Sequence, residues 1–96
     1  MKNCIKKYIK VTPIYVVIIF NNKDVRWEIF KDYQTLNDVK KLIETKYNIT
    51  KFGMEIYDEN IINYFSKIKS YITEENKNGL DIHIYTKCKI NLPRED

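Results

Sequence analysis

The chain has 96 residues, 44% of them hydrophobic, and a net charge of +4 from 17 Lys and Arg against 13 Asp and Glu. That length supports one domain with a modest core, and the apolar content excludes an intrinsically disordered polymer. The apolar run at residues 14–20 is too short to span a bilayer and lies too far into the chain for a secretory signal.

Lys greatly outnumbers Arg and Ala is absent, which reads as a codon-composition bias, so single Lys and Asn residues carry little information. The lysines are scattered rather than gathered in a stripe, so they serve solubility, and no nucleic-acid partner is expected. Cys4 and Cys88 lie near opposite ends and in no metal-ligand spacing. Free thiols and a cytoplasmic or nuclear location are the expectation. Three parts are expected: an N-terminal extension at 1–12, a domain at 13–88 and a C-terminal tail at 89–96.

Residues 1–12 are basic and moderately apolar, either a disordered lead-in or a short extra strand. Pro13 suits a strand start. Residues 14–20 are β-branched and aromatic, a strand with two apolar faces. Tyr15, Val17 and Ile19 form one face, and Ile14, Val16, Ile18 and Phe20 the other. One set faces the helix, and the other lies under residues 1–12 or is exposed as a partner surface. Residues 21–24 read as a tight turn. Residues 25–30 complete a hairpin, with Val25, Trp27 and Ile29 alternating with Arg26, Glu28 and Phe30. Trp27 is expected to anchor the hairpin core.

Residues 35–49 form the organising element, an amphipathic helix. Thr35 stands at the N-cap and Asp38 three residues on makes a weak capping box. Leu36, Val39, Leu42, Ile43 and Tyr47 make one apolar stripe, and Asn48 tolerates the left-handed conformation that stops a helix. A short strand at 54–57, a turn at 58–60 and a very short strand at Ile61 and Ile62 follow. Residues 63–72 carry apolar side chains at helical spacing. A polar loop at 73–79 leads to the last strand, residues 80–85, which alternates cleanly. The helix has one stripe to bury, and a sheet between the flanking strands supplies the surface.

The order of elements and several motifs resemble the ubiquitin-like β-grasp family. Thr35-Leu36-Asn37-Asp38-Val39-Lys40, followed by Ile43, Lys46 and Ile49, resembles the Thr-Ile-Glu-Asn-Val-Lys helix of ubiquitin with Ile, Lys and Ile at the same later spacings. Ile68-Lys69-Ser70-Tyr71 resembles its Leu-x-x-Tyr, and Ile82-His83-Ile84-Tyr85 its Leu-His-Leu-Val. The resemblance covers residues 14–87 and implies an α+β fold, a ubiquitin-like β-grasp with one main helix across a mixed sheet. The sequence departs from the family in closing on Asn91-Leu92-Pro93-Arg94-Glu95-Asp96 without Gly-Gly, so conjugation is not expected. Residues 1–12 have no counterpart.

The resemblance implies a non-catalytic protein-docking module whose contact residues are His83 and Tyr85, with Glu55 or Ile56 on the third strand according to register. The competing reading of His83 is an ordinary outward polar residue. No nucleophile and base accompany it, so no enzyme is expected. No cofactor-cradling Gly-rich loop exists, the chain having two glycines in all. No metal spacing surrounds Asp58 and Glu59. Pairing of the PB1 type is disfavoured because the first strand lacks the expected basic residue. The alternative is a phosphoinositide-binding domain resembling the phox-homology family, in which Lys31-Asp32-Tyr33 stands for its basic-x-Tyr motif. Asp32 there replaces a usual basic residue.

Overall fold

Asn21 and Asn22 set the architecture by both taking positive φ, 52° and 58°, so that the chain reverses at once after the first strand. The computed structural model describes residues 11–92. Its elements are β1 (Pro13–Phe20), β2 (Asp24–Lys31), α1 (Leu36–Lys46), β3 (Gly53–Ile56), β4 (Glu59–Asn60) and β5 (Leu80–Tyr85), with a 3₁₀ turn at Ile68–Tyr71 before β5. The five strands form one sheet in the order β2-β1-β5-β3-β4. β1 and β2 are antiparallel, whereas β5 runs parallel to β1, with Val16 opposite Leu80 and Phe20 opposite Ile84. The fold is α+β, with one helix across a mixed sheet in a β-grasp layout.

The helix begins where the cap chemistry places it. The Asp38 carboxylate accepts the Thr35 backbone N–H at 2.9 Å, completing the return half of a capping box. Two more orphan donors of the first turn are satisfied from outside the helix. The N–H of Leu36 donates to the Ser66 carbonyl at 2.9 Å, and that of Asn37 to the Tyr64 carbonyl at 2.8 Å. This explains why residues 63–67 are not helical despite their spacing. A turn at Tyr64 and Phe65 and a bend at Ser66 clamp the α1 N-terminus instead, and only Ile68–Tyr71 makes a 3₁₀ helix. At the other end Tyr47 is the C-cap, and Asn48 takes φ 58°. That left-handed residue turns the chain so that Ile49 enters the core, fully buried.

The core lies between α1 and one face of the sheet. It joins Leu36, Val39, Ile43 and Tyr47 of the helix to Ile14, Val16, Ile18 and Phe20 of β1 and Leu80, Ile82 and Ile84 of β5. Met54 and Ile56 of β3 and Ile68 close its far side.

Three expectations change in register. The third strand ends at Ile56, because Tyr57 and Asp58 form the turn with positive φ of 56° and 63°. The fourth strand is consequently Glu59–Asn60. Ile61 continues the ladder with an N–H bond to the Met54 carbonyl, and Ile62 is 88% exposed. The chain after Cys88 also stays attached. Ile90 and Leu92 pack against the core, and the Asn91 N–H donates to the Tyr47 carbonyl at 3.2 Å. The expected domain limit at 88 therefore falls inside a packed segment. The expected lead-in at 1–12 lies outside the described residues except for Val11 and Thr12, and so does Cys4. Cys88 is a free thiol. It sits beside Thr86 and Lys51, and hydrogen bonding from the Thr86 side chain and then the Lys51 backbone holds it below the usual thiol range.

Candidate functional surface

The hairpin register determines which side chains the sheet turns outward. β1 and β2 residues pair with numbers that sum to 44, as in Ile18 opposite Arg26 and Val17 opposite Trp27. Even-numbered residues of both strands therefore share the core side, and odd-numbered residues share the outer side. β1 puts its four aliphatic and aromatic even positions into the core and leaves the hydroxyl-bearing Tyr15 outside. β2 must follow, so Arg26, Glu28 and Phe30 turn inward while Val25, Trp27 and Ile29 turn outward.

Trp27 is thus not the core anchor its size suggests. It is 57% exposed, and the flanking Val25 and Ile29 are 44% and 65% exposed. The inward Glu28 carboxylate is tolerated because the helix end meets it. The Glu28 carboxylate accepts from the Lys46 ammonium at 2.8 Å and from the Tyr47 hydroxyl through the same oxygen. β2 is an edge strand, and its core side needs no continuous apolar cover.

Across the outer face, Val25, Ile19, His83, Glu55 and Asn60 stand in one row from β2 to β4, and Trp27, Val17 and Asp81 in the next. Ile29 and Tyr15 make a third row. The face is divided. Its β2–β1 half carries Tyr15, Val17, Ile19, Val25, Trp27 and Ile29, and its β5–β3–β4 half is polar.

The contact residues expected from sequence fall on the polar half. His83 lies half-buried between Ile19 and Glu55, its ring stacked on Tyr85 with centroids 6.1 Å apart and an angle of 11°. Its Nδ1 is buried without a hydrogen-bond partner. The Tyr85 hydroxyl donates to the Asn22 side-chain oxygen at 3.2 Å, tying the strand end to the hairpin turn. Of the two β3 candidates, Glu55 shares this face, being paired with His83. Ile56 does not, since it is 1% exposed in the core. The register of β3 against β5 puts it on the helix side, so it leaves the candidate set. The structure brings His83, Tyr85 and Glu55 together beside an apolar surface one strand away that sequence reasoning assigned partly to the core.

The Trp27 ring lies across β1. A Cβ added at Gly79 would come 3.1 Å from Trp27 Cη2 and 3.2 Å from Val17 Cγ2. Gly79 has no positive φ, so its missing side chain serves close approach. Gly79→Ala is expected to lift the indole from its seat while costing under about 1 kcal/mol, because an exposed side chain yields easily. A changed Trp27 emission spectrum with a nearly unchanged urea midpoint is the expected result. An unchanged spectrum would show that the ring does not rest there.

A cleft of about 310 Å³ borders the polar half, lined by Tyr57, Asp58, Glu75, Asn76, Asp81 and His83 among others. Among the described residues no group of His, Cys, Asp and Glu is placed to hold a metal ion. Lys31 and Tyr33 lie at the opposite edge, with the ammonium 6.0 Å from the ring centroid. Asp32 between them accepts the Thr12 N–H at 3.3 Å. Among the described residues no helix is long and apolar enough to cross a membrane. Comparison with protein-family models gives no match, and neither does comparison with curated proteins.

Proposed function

We propose that this chain is a non-catalytic, ubiquitin-like protein-docking domain whose working surface is the outer face of its sheet. The observation that carries the reading is the contiguous apolar half of that face, Tyr15, Val17, Ile19, Val25, Trp27 and Ile29. Clustered exposed apolar side chains rimmed by polar ones mark interaction surfaces. An aromatic anchor at the centre, here Trp27, is the usual source of most of the affinity. His83, Tyr85 and Glu55 supply the polar rim on one side, where they set orientation more than strength.

The test is site-specific photocrosslinking of the full chain in cells. One probe replaces Ile29 on the outer face and another replaces Lys41 on the exposed side of α1. Discrete protein adducts from position 29 that are absent from position 41 and lost on Trp27→Ser are expected. Adducts of equal yield from both positions, or from neither, would overturn the reading. Binding of phosphoinositide vesicles that depends on Lys31 and Tyr33, and not on Trp27, would replace it with the lipid-binding alternative.

A further inference from the structure

We infer that residues 1–10 of this chain fold back over the apolar half of the outer face as a short amphipathic helix, and that a docking partner must displace them. This gate regulates the surface proposed above, and the competing partner rests on that reading.

The sequence of the segment suits such a surface. At about 100° per residue, Cys4, Ile5, Tyr8 and Ile9 share one side of a helix, while Lys2, Lys6, Lys7 and Lys10 share the other. Lysines are spread along the chain, but their excess over acids is not. Residues 1–10 hold four Lys and no Asp or Glu, so they account for the whole net charge of +4 and the remaining residues balance. A helix this short is marginal in water by itself, and its apolar stripe needs a surface to form on.

β1 delivers the segment to that surface. Pro13 opens β1 opposite Lys31, and the Thr12 N–H is held by the Asp32 carboxylate at 3.3 Å. The preceding chain therefore starts at the end of the sheet where Tyr15 and Ile29 make their row. From that row to the row of Ile19 and Val25 is four residues, roughly 13 Å, and a ten-residue helix is about 15 Å long. Charge matches as well as length. The adjoining half of the face carries Asp81 beside Val17 and Glu55 beside His83, and the cleft at its border adds Asp58 and Glu75. The apolar stripe meets Trp27 and its neighbours, and lysines at the helix flank reach toward these carboxylates. Exposed ion pairs of this kind orient the helix more than they bind it. Tethered through Val11 and Thr12 alone, the segment meets the face at a roughly millimolar effective concentration. Weak contacts are then enough to hold it, and a partner of higher affinity can displace it.

The experiment places a benzophenone amino acid at position 29 of the purified full chain. Irradiation is expected to give adducts within one molecule that map to residues 1–10, and the same probe at position 41 none. Trp27 is the sole tryptophan, so acrylamide quenching of its emission reads the same contact without a probe. Ile5→Ser combined with Ile9→Ser is expected to shift the equilibrium between covered and open faces about 100-fold toward open. Quenching then rises and the adducts with residues 1–10 disappear. The buried core lies within residues 14–84, so the variant is expected to keep cooperative thermal unfolding. In cells it is expected to give a higher yield of partner adducts from position 29 than the parent.

Absence of adducts between position 29 and residues 1–10, or equal quenching of Trp27 in parent and variant, would overturn the inference. Adducts that join two molecules would put a second copy on the face and overturn it too. So would binding to phosphatidylserine vesicles through Ile5 and Ile9 by a chain whose Trp27 is already open to acrylamide. Partner adducts of equal yield from parent and variant would remove the gate and leave the docking role standing. Adducts with residues 1–10, but no partner adduct from either chain, would leave the segment as the cover of the face and remove the docking role.

Discussion

Phe20→Ala is expected to destabilise the domain by about 3 to 5 kcal/mol, the usual cost of emptying an aromatic site in a packed core. Phe20 is completely buried, and its ring lies 4.9 Å from that of Tyr47 at an angle of 56°. It stands at the last position of β1, opposite Ile84, while its carbonyl accepts the Lys23 N–H that closes the hairpin turn. The helix end, β1 and β5 all meet there, so no single element can relax into the cavity. Against a total stability of about 5 to 15 kcal/mol, the loss lowers the midpoint of thermal unfolding by roughly 20 °C. Phe65→Ala is the matched control, since Phe65 is 86% exposed. The same chemical change there is expected to move stability by less than about 0.5 kcal/mol. Similar midpoints for the two variants would contradict this placement of the core.

Glu28→Ala is expected to cost about 2 to 3 kcal/mol, large for a residue on an edge strand. Glu28 tethers β2 to the end of α1 through the Lys46 ammonium and the Tyr47 hydroxyl. The Lys46 side chain is 47% exposed, so its ion pair contributes at most about 1 kcal/mol. The remainder comes from the hydroxyl of Tyr47, a side chain only 1% exposed, which loses its carboxylate acceptor. A double-mutant cycle isolates that contact. Tyr47→Phe alone is expected to cost about 1 to 2 kcal/mol, and the double variant less than the sum by a similar amount. Additivity within about 0.3 kcal/mol in urea titrations would mean that the two groups do not interact.

Both variants bear on the docking surface. The contact between Glu28 and Tyr47 compensates for the carboxylate that the hairpin turns inward, and so helps Val25, Trp27 and Ile29 to face outward. Composition points the other way, since burying Trp27 and exposing Arg26 and Glu28 would satisfy the alternation of β2 read in isolation. The domain accepts the opposite arrangement at its edge because α1 delivers a cation and a hydroxyl to Glu28. An exposed apolar surface is the result.

What the sequence determined by itself is local. The β5 limits at residues 80–85 follow from a clean alternation that needs no partner to be recognised. The Thr35 cap, the stripe of α1 and the left-handed stop at Asn48 follow from short-range chemistry, and all appear in the structure. The mixed sheet and its one crossing helix were expected from the resemblance to the β-grasp family that the order of those elements and their motifs carries, and the structure has that layout. The tertiary structure decided which face of each strand points outward. Both faces of β1 are apolar, so its own residues leave the choice open. Hairpin register then fixes the orientation of β2, and pairing with β5 places Glu55 outside and Ile56 inside. Residues 63–67 were likewise undecided, since their helical spacing competes with unsatisfied N–H groups at the start of a helix far away in sequence. The hydrogen bonds to Leu36 and Asn37 resolve that competition. Side-chain direction reverses with a one-residue shift in pairing, and pairing is a relation between segments that neither segment carries alone.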